Sequence, residues 1–297
     1  MADKGVAYLE RTMGDWARAR LHPHVAEFAM FVLKQGWAAL FGILMLAAII
    51  LSRLIWQADW TLARYDALFL FAIATQSIFL WLRLESIEEA KVILLFHITG
   101  TIMEVFKLAQ GSWDYPDQGV MEIGGVPMFS GFMYASVGSF MARVIRIFHM
   151  EFSPYPSFAL TVALATAIYV NFFTHHYTYD IRWFLFAATL VLFWRTRIWF
   201  FPGPTPRWMP LPVAAFLSAI FLWIAENIGT LTQTWTYAGQ GTFELVDLSK
   251  FGSWYLLLYV SFVTVSLVLR DVMQPDATRP APREVYQPRA SQTAHPR

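Results

Sequence analysis

Eight apolar runs divide this chain, at 36–55, 67–82, 92–109, 126–147, 157–173, 181–194, 211–228 and 254–269. A bilayer core takes roughly 20 apolar residues of helix, fewer where a helix is enclosed in a bundle. Such runs have no place on a water-soluble surface. Of the 297 residues, 57% are apolar and 14% charged, against about a quarter charged in soluble domains. The expected fold class is therefore all-α, a polytopic membrane helix bundle of eight transmembrane helices, in which each helix satisfies its own backbone groups inside lipid. The third and seventh runs carry ionisable residues, and the topology depends on both crossing. The chain has no Cys, which excludes a disulfide framework, a thiolate nucleophile and cysteine-built metal sites. A net charge of +1 gives no sign of a nucleic-acid partner. The lipid bilayer is the partner that composition implies, and the sequence leaves any cofactor unidentified.

Basic residues are retained on the cytoplasmic side. With the N-terminus inside and eight crossings, 17 Lys and Arg fall inside and five outside: Arg53, Arg64, Lys107, Arg182 and Lys250. The expected location is a bacterial inner membrane, with both termini cytoplasmic. Residues 1–35 read as a cytoplasmic interfacial amphipathic helix interrupted near Pro23, with Met13, Trp16, Phe28 and Phe31 among Arg11, Arg18 and Arg20. No apolar stretch precedes it, so no cleaved leader is expected. Residues 271–297, with five prolines, read as a disordered cytoplasmic tail.

Sliding the chain along itself by 122 residues aligns 102–140 with 224–262 without a gap, and 10 of the 39 pairs are identical. They include Glu104/Glu226, Trp113/Trp235, Tyr115/Tyr237, Gln118/Gln240 and Glu122/Glu244. A second block, at an offset of 114, places Tyr65-Asp66 on Tyr179-Asp180 and Arg83 on Arg197. The expected organisation is two parallel four-helix repeats, 36–148 and 149–270, with a substrate site between them.

Helix three carries His97, Thr101, Glu104 and Lys107 on one face, because residues three or four apart are neighbours on a helix. Helix seven carries Glu226, Asn227, Thr230 and Gln233. A carboxylate at membrane depth is costly and faces a cavity or a partner. Lys107 stands three residues from Glu104, so one reading is a structural ion pair; the other gives Glu104 a catalytic or ligand-contacting role. Asn171, His175, His176, Asp180 and Arg182 lie at the same boundary. Histidine is suited to proton transfer or metal binding, but two histidines hydrogen-bonded to loop carbonyls would look the same in sequence. Trp113, Tyr115, Trp235 and Tyr237 are belt residues or a wall for a cationic intermediate. The spacing Glu-x8-Trp-x-Tyr occurs in both halves, which a belt does not require. Ser130, Gly131, Ser136, Gly138 and Ser139 give helix four a small-residue face for close packing.

The strings His97-x2-Gly-Thr-x2-Glu-x-Phe-Lys, Gly111-Ser-Trp-Asp-Tyr-Pro, Pro127-Met-Phe-Ser-Gly-Phe-Met-Tyr-Ala-Ser-Val-Gly-Ser, and Asn171-Phe-Phe-Thr-His-His with Asp180-Ile-Arg-Trp resemble the YoaT-like family of bacterial integral membrane proteins. That resemblance spans nearly the whole chain and implies a class without a mechanism. Glu104 ahead of Gly111-x-Trp-x-Tyr, then Gly125-Val126-Pro127, is similar to membrane-bound carotenoid hydratases and lycopene cyclases. That similarity covers about 30 residues and implies protonation of an isoprenoid double bond. The paired glutamates that follow the Pro in the cyclases are Met128 and Phe129 here, so hydration is the closer comparison.

Three functions follow as expectations. The first is a lipid- or isoprenoid-modifying enzyme, with Glu104 as proton donor, Glu226 as its counterpart and His176 with Asp180 as base. In this reading His97, Lys107, Trp113, Tyr115, Asn171, His175, Arg182, Trp235 and Tyr237 contact an apolar lipid or isoprenoid substrate. The second is a transporter or channel for a small solute or ion. The third is a metal-dependent membrane enzyme using His97, Glu104, His175, His176 and Asp180.

Overall fold

The computed structural model describes residues 12–269 apart from 17, 18, 58, 204 and 242. The expected tail at 271–297 lies outside the described residues. Each of the eight apolar runs contains a helix, and their order is α1 Pro23–Ala38, α2 Leu40–Ile55, α3 Arg64–Trp81, α4 Ile87–Ala109, α5 Phe129–Ile147, α6 Phe158–Thr174, α7 Arg182–Phe193, α8 Leu211–Leu231 and α9 Leu248–Val268. The helices start where the local chemistry favours it. Pro occupies the first turn of α1 and α8, where its missing N–H costs nothing. Ser86 and Glu89 close a reciprocal capping box on α4, and the Asp247 carboxylate accepts from Ser249 N at 2.7 Å to open α9.

Among the described residues three helices are long and apolar enough to cross a membrane: α4, α8 and α9. The bent pair α1–α2, with a 68° turn between its members, makes a fourth if it counts as one span. The two runs that carry ionisable residues are thus among the best-supported crossings. Helices α6 and α7 are apolar but have 17 and 12 residues, short for independent spans. The chain is mostly helical, with three or four candidate membrane spans. Leu54, Phe221 and Val191 lie at least 72% exposed, as side chains facing lipid do.

Two sequence expectations need correction at the segment boundaries. The boundary at 35 falls inside α1, whose Ala26, Met30, Lys34 and Ala38 are buried; the Lys34 ammonium donates to the Phe201 carbonyl at 3.1 Å. Residues 23–38 therefore belong to the bundle rather than to a separate interfacial segment. The fourth run was expected to become helical at Val126. Instead Glu122–Ile123 (β2) and Val126–Pro127 (β3) form a hairpin. Gly124 and Gly125 between them have φ of 60° and 79°, the left-handed pair that a two-residue hairpin turn needs and that glycine adopts without strain.

The other short strands are β1 Trp113–Asp114, β4 Glu151–Ser153, β5 Arg197–Phe200, β6 Arg207–Pro210 and β7 Thr236–Tyr237. Strands β4, β5 and β6 form one antiparallel sheet, and β1 pairs with β7. The fold is therefore mostly helical rather than purely α.

Helices α4 and α5 pack most intimately, through the small-residue face the sequence predicts. A Cβ on Gly131 would lie 2.5 Å from His97 Nδ1, and one on Gly100 2.6 Å from Tyr134 Cγ. Both glycines let a large side chain on the opposite helix lie flat against the backbone.

The basic residues sort to two ends. At one end Arg53 donates to Gln233 at 2.6 Å and Arg64 to Asp117 at 2.5 Å. At the other, Arg146 pairs with Glu89 at 2.8 Å and Arg207 with Glu27 at 2.6 Å.

Candidate functional site at the aromatic–carboxylate end

Glu104 and Glu226 occupy the last third of α4 and α8, and both are buried. Each stands five residues before the end of its helix, and in both cases the loop that follows returns an indole and a phenol to the carboxylate. Trp113 Nε1 and Tyr115 Oη donate to Glu104 at 2.7 and 2.6 Å. Trp235 Nε1 and Tyr237 Oη donate to Glu226 at 2.7 and 2.6 Å. The spacing Glu-x8-Trp-x-Tyr is thus the length of loop that brings both donors back to one acid.

A third donor reaches each acid from a neighbouring helix: Tyr134 Oη to Glu104 at 2.5 Å and Trp254 Nε1 to Glu226 at 3.2 Å. Sequence reasoning passed over both residues. The available signal was Gly100, whose missing side chain leaves room for the Tyr134 ring. An ionised carboxylate accepts about four hydrogen bonds, so each Glu is close to saturated by aromatic donors.

The two loops meet. Strands β1 and β7 are antiparallel, with Trp113 opposite Tyr237 and Asp114 opposite Thr236. Burial and the neighbouring carboxylates hold the Tyr115 and Tyr237 phenols well above their usual pKa, which keeps both as donors.

Lys107 does not pair with Glu104, against one reading of their spacing. Its ammonium meets His176 Nε2 at 2.7 Å and His175 Nε2 at 3.4 Å, and it sits 4.2 Å from the centre of the Phe172 ring. Glu104 had already been claimed by three aromatic donors, so the Lys turns toward α6. An ammonium only donates, which makes His176 Nε2 the acceptor and the imidazole neutral. His175 Nδ1 faces the Asn171 carbonyl at 3.0 Å, which puts its proton on Nδ1 and leaves Nε2 toward Lys107. Burial, then the Lys107 charge, depresses the pKa of His176.

Asp180 accepts from Asn171 Nδ2 at 3.1 Å and pairs with Arg182 at 2.6 Å. Although burial raises its pKa, the Asn171 and Arg182 hydrogen bonds hold it below the ordinary value.

A chamber of about 1160 Å³ connects these groups. Of the sequence-predicted residues, Glu104, Lys107, Trp113, Tyr115, Asn171, His175, His176, Arg182, Glu226, Trp235 and Tyr237 line it. Asp180 stands behind Asn171 and Arg182. Lys250, placed by the sequence only among the outer basic residues, also lines the chamber, with its ammonium 4.1 Å from the Tyr237 ring centre.

His97 is the predicted residue that the fold takes elsewhere. Its ring packs on Phe132 at 4.6 Å, over Gly131, and its Nδ1 has no hydrogen-bond partner. The alternative metal set of His97, Glu104, His175, His176 and Asp180 is therefore not assembled. Among the described residues no group of three or more His, Asp or Glu is arranged to hold a metal ion.

No solved structure matches the chain. It is 39% identical over 259 residues to an uncharacterized protein, YoaT, of Bacillus subtilis (strain 168), a match covering 86% of this chain and 96% of that one. A family model described as "Protein of unknown function (DUF817)" matches residues 27–262. The chain belongs to that family.

Proposed function

We propose that the protein is an enzyme of the cytoplasmic membrane that modifies a lipid or isoprenoid chain by acid–base chemistry at the polar end of the chamber. The observation that carries this reading is the chamber's composition. Beyond its polar end the walls are mostly apolar side chains from α1, α2, α5, α8 and α9, and several of them also face outward: Phe28 and Val32 on α1, Ile43 on α2, and Leu217, Phe221 and Ile224 on α8. A chamber open to the bilayer through an apolar gap suits a substrate that arrives from lipid.

The proton-handling pair in this reading is His176 with Lys107. A neutral imidazole that accepts from an ammonium exchanges a proton without burying a new charge. Glu104 and Glu226, each accepting three aromatic donors, hold the aromatic wall against the substrate.

Eight crossings in two like-oriented four-helix units, with both termini cytoplasmic, are part of the proposal. The twofold Glu–Trp–Tyr geometry supports it, as does the gathering of Arg53, Arg64, Lys107, Arg182 and Lys250 at one end. The second block of the repeat has diverged: Tyr65 is buried and donates to the Thr234 carbonyl at 2.8 Å, while Tyr179 is 94% exposed.

The test is the lipid that copurifies with the detergent-extracted protein. A stoichiometric apolar or amphiphilic lipid is expected, lost in the chamber-filling variant Ala215→Trp, with turnover of that lipid abolished in His176→Gln. Protein that carries no lipid and shows no effect of Ala215→Trp would refute the reading. A transporter is the second reading, because the lining reaches from Phe28 and Phe31 on α1 to His175 and His176. Proton-coupled uptake into liposomes, absent in Glu226→Gln, would favour it.

A further inference from the structure

The polar end of the chamber is rich in donors and poor in free acceptors. Lys107 has three N–H groups and gives one to His176 and one, at 3.4 Å, to His175. Lys250 lies over the Tyr237 ring with no carboxylate of the described residues within 4.0 Å. An imidazole nitrogen and a ring face are displaceable partners compared with a charged oxygen.

The acceptors nearby are already occupied. Glu104 and Glu226 each take three aromatic donors, and Asp180 takes Arg182, Asn171 and the Arg182 backbone N–H at 2.9 Å. Lys107, Lys250 and Arg182 all line the same chamber. Arg182 and Lys250 also stand in the first turns of α7 and α9, where the helix dipole favours an anion. A buried ammonium with unmet donors calls for a ligand that brings several acceptor oxygens and negative charge. The rest of the lining is largely apolar, with Gln35 and a few serines among Phe, Leu, Ile and Met, so the same ligand must carry a hydrocarbon chain.

We infer that the chamber binds an anionic amphiphile, its phosphate or carboxylate headgroup held by Lys107, Lys250 and Arg182 and its alkyl or isoprenoid chain lying along α8 toward the gap beside α2. This rests on the proposed lipid-binding role of the chamber and adds the chemistry of the headgroup. It also gives the Lys107–His176 contact a function: the headgroup takes over the Lys107 donors and frees His176 Nε2 next to the substrate.

The experiment is equilibrium binding to the full-length protein in detergent, with dodecyl phosphate, laurate, dodecanol and inorganic phosphate as probes. Dodecyl phosphate and laurate are expected to bind about tenfold or more tightly than dodecanol, the difference that charge-assisted hydrogen bonds supply. Inorganic phosphate alone is expected to bind far more weakly than dodecyl phosphate. Lys250→Ala and Lys107→Ala should each reduce the preference for the anionic probes, while Lys250→Arg retains it, which separates loss of charge from loss of fold.

Dodecanol binding as tightly as dodecyl phosphate, with both lost in Ala215→Trp, overturns the headgroup inference and leaves the lipid chamber standing. Chain-bearing probes unaffected by Ala215→Trp overturn the chamber reading and this inference together. Inorganic phosphate matching dodecyl phosphate makes the site a phosphate site and overturns the amphiphile.

Discussion

Trp113 and Tyr237 face each other across the β1–β7 pair, ring centres 5.9 Å apart and planes at 88°, and each donates to a different acid, Trp113 to Glu104 and Tyr237 to Glu226. One edge-to-face contact thus ties two loops, two helices and two buried carboxylates into a single unit. Edge-to-face aromatic pairs contribute about 0.5–1.5 kcal/mol beyond their burial. Perturbing either acid is therefore expected to reach the other loop.

That coupling is measurable. Tyr115→Phe removes one of three donors to Glu104 and is expected to cost about 1–3 kcal/mol of stability, the penalty for an acceptor stripped of its partner in a buried site. In a cycle with Glu104→Gln the two losses should fall well short of additive, because both break the same bond. Thermal unfolding in detergent reads the cycle. Additive losses would mean that Tyr115 and Glu104 act independently.

Gly229 sets the position of Trp235. A Cβ there would lie 2.0 Å from Trp235 Cζ2, and a half-buried indole ring hydrogen-bonded to Glu226 cannot yield as a flexible side chain does. Gly229→Ala is expected to lose about 1–3 kcal/mol through overpacking and to shift the indole fluorescence as Trp235 leaves Glu226. Gly36→Ala is the matched control: nothing lies within 4 Å of its Cβ position, and removing a helical glycine should be neutral or slightly stabilising.

At the opposite end, Arg143 is fully buried, 3.8 Å from Glu85, and has no hydrogen bond from any of its guanidinium nitrogens. Glu85 meanwhile accepts from Ser139 at 2.6 Å and Gln76 at 2.5 Å. Glu85→Ala leaves the Arg charge uncompensated and is expected to cost about 3–5 kcal/mol, read as lost yield of folded protein. Glu85→Ala with Arg143→Met should recover much of that loss, since no unpaired charge remains.

The histidine pair gives the site an acid limit. His176 is neutral against Lys107, and its pKa lies below the ordinary 6.5. Below pH 6.5 the unfolded chain takes up a proton that the folded site still refuses, so stability falls with pH until the folded pKa is passed and then levels. His175 shifts in the same direction; Lys250 and Arg182 oppose protonation of the pair, and Asp180 favours it at His175. His176→Gln should flatten the slope of stability against pH between 6.5 and the folded pKa. An unchanged slope would assign it to another group.

Helix positions and the two acids were legible in the sequence because both are local properties. An apolar run of bilayer length must satisfy its backbone within the segment, so all eight runs contain helices. The spacing Glu-x8-Trp-x-Tyr reports a loop that returns to its own helix, and the structure closes it twice with the same bonds. Gly124-Gly125 carried a hairpin signal as well, but the apolar residues that follow obscured it. What only the tertiary structure decided was which neighbour claims each polar group. Tyr134 and Trp254 reach the acids from other helices, Lys107 turns from Glu104 to the two histidines that follow α6, and His97 is drawn onto Phe132 over Gly131. Those choices depend on the distance between helices far apart in the chain, where a buried donor pairs with whichever acceptor is not already taken, and no periodicity along one helix encodes that competition.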